Sequence, residues 1–99
     1  MALAAINPTG QAALTAGTTS TNVQIPTTGT PTQVLVQNLG NRAAFVVLGS
    51  SAAVAATVAG GTPILPTPDG GVVLTLNSNT YIAAITSNGS APLRITAGT

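Results

Sequence analysis

Turn-forming residues break this chain at near-regular intervals, at Asn7-Pro8, Gly17, Pro26 to Pro31, Gly40-Asn41, Gly60-Gly61, Pro66 to Gly71, Asn77-Ser78-Asn79 and Asn88-Gly89. The runs between these breaks are short and rich in Val, Ile, Leu, Ala and Thr, which suits strands better than helices. Composition points the same way, because 17 of the 99 residues are threonine and neither lysine nor glutamate occurs. A chain of this length accommodates one domain. About seven to eight short strands joined by tight turns predict an all-β fold: a small antiparallel β-sandwich or jelly roll with an extended N-terminal arm.

Along the chain, residues 1–20 are Ala-, Thr- and Gly-rich and broken by Pro8, Gly10 and Gly17, so they read as a flexible arm ahead of a β-sandwich domain at 21–99. Ile6 and Leu14 are the arm's spaced apolar anchors for a neighbouring subunit, and its removal is expected to leave the fold intact. Thr21 to Pro26 is a short strand ended by proline. Thr32 to Asn38 and Arg42 to Leu48, separated by Leu39-Gly40-Asn41, have the spacing of a hairpin.

Ala52 to Ala59 alternates Val54, Ala56 and Val58, which favours a strand over the short helix that Ser51 and Gly60 would cap. Thr62 to Pro66 is an edge or connector, Thr67 to Gly71 a turn, and Val72 to Leu76 a strand. Thr80 to Thr86 and Ala91 to Thr96 flank Asn88-Gly89, a strong hairpin signal, in a register that opposes Thr86 to Ala91, Ala84 to Leu93 and Ile82 to Ile95. Pro92, which has no N–H, favours a wider turn there. One hairpin face then carries Ile82, Ala84, Leu93 and Ile95. The other carries Tyr81, Ala83, Ile85, Pro92, Arg94 and Thr96, a mixed surface on which Tyr81, Arg94 and Thr96 are the candidate contact residues.

Chemistry is constrained by what is missing. The chain holds no histidine, cysteine, lysine or glutamate, and its charged side chains are Arg42, Arg94 and Asp69. General acid–base catalysis, an activated Ser or Thr nucleophile, and zinc or calcium coordination within one subunit all need groups from that absent set, so no enzyme, no cofactor and no metal site is expected. Asp69, between Pro68 and Gly70, is a turn residue. Two arginines with Phe45 and Tyr81 make no nucleic-acid footprint, and no apolar run approaches the ~20 residues of a membrane span. The N-terminus lacks the basic and apolar regions of a signal peptide. With so little charge to keep copies apart, homo-oligomers are expected.

In texture and strand order, Asn38 to Gly49, Ile82 to Thr86 and Ala91 to Thr96, within residues 32–97, resemble the head decoration (cement) proteins of tailed bacteriophages. That resemblance implies a jelly-roll or β-sandwich module, dimeric or trimeric, made in the host cytoplasm. It would be seated on the outer surface of the virion, across junctions between major capsid protein subunits, with no catalytic residues. A phage tail or fibre component and a lectin-like carbohydrate-binding β-sandwich are alternatives of the same fold class.

Overall fold

The computed structural model describes residues 8–66 and 71–99, and among these there is no helix, hence none long and apolar enough to cross a membrane. Eight strands follow one another: β1 (Pro8–Ala16), β2 (Thr21–Gln24), β3 (Gln33–Asn38), β4 (Ala44–Gly49), β5 (Thr62–Ile64), β6 (Val72–Thr75), β7 (Tyr81–Thr86) and β8 (Ala91–Gly98). They form two four-stranded antiparallel sheets, ordered β1-β8-β3-β6 and β2-β7-β4-β5. The first strand pairs with the last, the second with the next to last, the third with the sixth and the fourth with the fifth. The chain is one long folded-over ribbon wound into two layers, which is the jelly roll.

Period-two alternation fills the space between the layers. The β1 sheet contributes Leu14, Val34, Val36, Leu93, Ile95 and Ala97, and the β2 sheet Ala44, Val46, Ile64, Ile82 and Ala84, all buried. Fully burying a Val, Leu or Ile side chain is worth roughly 1.5–3 kcal/mol, so these rows supply most of the driving force. Ile25 and Leu76 close one end of the sandwich, tied down by the Ile25 N–H donating to the Thr80 carbonyl and the Leu76 N–H donating to the Thr32 carbonyl.

Both expected hairpins are absent, because each connection passes from one sheet to the other. β3 lies between β8 and β6, and β4 between β7 and β5, so the turn at Gly40-Asn41 joins strands of different layers. Likewise β7 and β8 belong to different sheets, and Ile82 and Ile95 face each other across the core instead of side by side. A polar residue on the inward row of each departing strand makes the corner. Asn38 Nδ2 donates to the Arg42 carbonyl at 2.7 Å and to the Ile64 carbonyl at 2.9 Å, while its Oδ1 accepts the Gly40 N–H. Thr86 Oγ1 donates to the Gly89 carbonyl at 2.7 Å. Each side chain thereby satisfies backbone groups at its corner.

The two corners touch. Gly89 has φ +74°, and a Cβ there would lie 2.5 Å from Arg42 Nε. Gly89→Val is therefore expected to destabilise the fold by about 1–2 kcal/mol through backbone strain, read as a lowered midpoint in chemical denaturation, with unchanged secondary structure below it.

Two further expectations are corrected. Within the stretch read as an arm, residues 1–7 lie outside the described residues, but Pro8–Ala16 is the longest strand of the fold, paired with β8 along its length. Residues 52–59 are neither strand nor helix. They belong to a connection that lies over the outer face of the β2 sheet: the Ala56 N–H donates to Ser20 Oγ, Asn22 Nδ2 to the Ala52 carbonyl, and Val54 packs so close to Gly49 that a Cβ there would lie 2.5 Å away. Turn chemistry ends this connection, with the Gly60 N–H on Thr57 Oγ1 and the Gly61 N–H on the Thr57 carbonyl. The turn expected at 67–71, Asp69 included, falls almost wholly outside the described residues.

Candidate contact surface

The two outer faces of the sandwich differ. On the β2 sheet, Ala83 points outward by alternation yet is completely buried, beneath the 50–61 connection just described. On the β1 sheet no described segment plays that part. Its outer face carries side chains in cross-strand rows: Thr15 beside Pro92, Ala13 beside Arg94 and Gln37, and Gln11 beside Thr96, Leu35 and Val73.

Arg94 sits at the centre of this face. Its neighbours along the strand, Leu93 and Ile95, fill the core, so the guanidinium is directed outward and is exposed. Ala13 on one side is too short to cover it, and a shallow concavity of about 290 Å³ lies there, lined by Gln11, Ala12, Ala13 and Arg94. No acidic side chain exists among the described residues to pair with it. The face thus presents one planar, bidentate donor in a field of amides, hydroxyls and small apolar groups. Covering such a surface strips water from few charges, so the desolvation cost is small.

The expected contact residues do not share one surface. Tyr81 pairs with Gln24 and Gly49 on the outer side of the β2 sheet and is half-buried. Arg94 and Thr96 are on the outer side of the β1 sheet, so the core separates them from Tyr81 and no Arg94–Tyr81 stacking is possible. Thr96 is only 6% exposed, wedged between Gln11 and Leu35, which leaves Arg94 as the prominent group of the pair. Leu14 is a core residue opposite Leu93, not an arm anchor, and Ile6 lies outside the described residues.

Sequence reading missed other surface features. Leu39 and Leu65 are 52% and 61% exposed, and each directly follows a member of the Asn38–Ile64 hydrogen bond, so both emerge at the same corner. At the opposite end, Ile25, Pro26, Pro31 and Leu76 with Thr27, Thr30 and Thr80 line a cleft of about 200 Å³ containing no titratable side chain. Among the described residues no three His, Cys, Asp or Glu side chains group together. Searches against family models, curated proteins and solved structures find no match to this chain.

Proposed function

We propose that this protein is a structural component of a virion: a decoration or cement protein that attaches to the major capsid protein of a phage head and braces adjacent capsomers, with no chemistry of its own. The observation that carries the reading is the nearly uncharged outer face of the β1 sheet, which no described segment covers, on a jelly roll whose chain has no histidine, cysteine, lysine or glutamate. The jelly roll itself serves viral capsid domains, lectins and cupins alike, so the side chains must choose among them. Cupin chemistry draws on metal-binding side chains that this chain does not contain. Sugar binding draws on exposed aromatic rings, and both Phe45 and Tyr81 are half-buried. A bracing role asks only for a rigid body, a flat face and many copies acting in parallel.

Arg94 is the group on that face with a preference for a particular partner, a carboxylate. Arg94→Glu is expected to weaken attachment to purified heads lacking the protein by about tenfold or more, while Gln24→Glu on the opposite sheet leaves attachment unchanged. Both variants keep the fold, since each changed side chain is exposed. Heads carrying the wild-type protein are expected to release their genome at a higher temperature than heads without it. Equal release temperatures with the protein bound would remove the bracing role, and no binding to heads at all would remove the proposal.

A further inference from the structure

Hydrogen-bond phase identifies which backbone groups of β1 are left over. Pro92 has no N–H, and its carbonyl accepts from Leu39 on the β3 side, so Pro92, Arg94 and Thr96 direct their backbone groups towards β3. Leu93 and Ile95 therefore serve β1, and they oppose Leu14 and Ala12. By the same alternation the N–H and C=O groups of Gln11, Ala13 and Thr15 point away from β8, to an edge with which no other described strand pairs. The Thr21 hydroxyl confirms this phase, since it reaches the Thr15 carbonyl from the far side at 3.4 Å.

The four edges of the sandwich are not treated alike. β2, β5 and β6 are 4, 3 and 4 residues long, and β5 contains Pro63, so these edges are blunted in familiar ways. β1 is 9 residues long, and from Gln11 to Ala16 it carries no charge, no proline and no glycine. Its sequence is also self-complementary about Ala13, which places Gln11 opposite Thr15 and Ala12 opposite Leu14 when a second β1 runs antiparallel.

We propose that two copies of this chain pair through this edge of β1, antiparallel about a two-fold axis at Ala13, joining their β1 sheets into one continuous sheet. Ala13 exchanges both backbone hydrogen bonds with Ala13 of the second copy, and this pair carries the contact, because Gln11 lies opposite Thr15, whose carbonyl already accepts the Thr21 hydroxyl. The occupant is a second copy because a closed two-fold contact uses one patch twice, and this patch matches itself in polarity, size and lack of charge. The contact is small, so it forms a concentration-dependent dimer in solution, and crowding on a surface strengthens it. This inference is independent of the capsid reading.

Sedimentation velocity over a dilution series tests it. The wild-type chain is expected to shift from monomer to dimer with concentration. Ala13→Pro removes a donor on that edge alone and leaves the β8 ladder intact, so it is expected to stay monomeric with an unchanged far-UV spectrum. Ala13→Cys, in a chain with no other cysteine, places two thiols across the axis at a Cα separation of about 5.5 Å, within disulfide range. It is expected to cross-link under mild oxidation much faster than Thr75→Cys on the opposite edge. A wild-type chain that stays monomeric at every concentration overturns the proposal, as does Ala13→Pro dimerising like wild type. If Ala13→Pro does not fold, the cross-linking comparison decides, and equal rates for the two cysteines overturn it.

Discussion

Deleting residues 1–20 is expected to abolish cooperative folding. The reading from composition alone predicts the reverse, since an Ala/Thr/Gly-rich stretch looks dispensable, but β1 is the outer partner of β8 over its whole length. Without it the backbone groups of Leu93 and Ile95 lose their ladder, Leu14 and Ala16 leave the core, and the edges of Ile95 and Ala97 open to water. The lost apolar burial and hydrogen bonding together cost about 5 kcal/mol or more, which matches or exceeds the stability of a domain this small. Circular dichroism of the 21–99 fragment is expected to show no sigmoidal thermal transition, with rapid amide exchange in β8. A cooperative transition within a few degrees of the full chain would mean that β1 is an accessory strand.

Replacing one side chain is expected to do nearly as much. Asn38→Leu keeps the volume but leaves the Arg42 and Ile64 carbonyls and the Gly40 N–H without their partner, at a site 1% exposed. Each unsatisfied buried group costs about 1–3 kcal/mol, so a loss of about 3–5 kcal/mol is expected. For a domain of this size that corresponds to a drop of roughly 15–30 °C in Tm. Asn38→Asp also fails, because it replaces two donors with a buried charge. Asn41→Ala, exposed in the same loop, is expected to change stability by less than about 0.5 kcal/mol. Scanning calorimetry of the three variants checks the series, and an Asn38→Leu protein as stable as Asn41→Ala would show that the corner holds without its clamp.

These two positions also mark how far the sequence can be read. Apart from the strand expected at 52–59, strand positions from Thr21 onward were legible because β-branched runs alternate with period two and turns punctuate them, and the proline-flanked edge at β5 followed from the chemistry of Pro63. Partner choice was not legible, because a short Gly- or Asn-containing loop has one length whether it joins neighbours in a sheet or carries the chain to the facing layer. The clues lay in polarity: Asn38 and Thr86 occupy the inward rows of otherwise apolar strands, and Pro92 cannot donate in the hairpin that Asn88-Gly89 suggests. β1 escaped notice because pairing with β8 imposes its extended form on residues of low β propensity. Residues 52–59 misled in the opposite sense, since the Val54, Ala56, Val58 alternation belongs to a covering loop in which Ala56 is buried and Val58 is 40% exposed.

The contact surface was half legible. Arg94 stands out in a chain with so few charges, and its place on an outward row follows from the apolar residues on either side. Its grouping with Tyr81 rested on a hairpin that does not form, so the two lie on opposite faces. What the fold adds is the asymmetry between a roofed sheet and one that no described segment covers, which depends on where a long connection travels and has no local signature.

Electron cryomicroscopy of virions purified from host cells that make this chain decides the capsid reading. Jelly-roll density is expected at regular lattice positions over the outside of the head, with the β1 sheet and Arg94 turned towards the major capsid protein. Density confined to the tail, or particles that contain no copy of the chain, would contradict it.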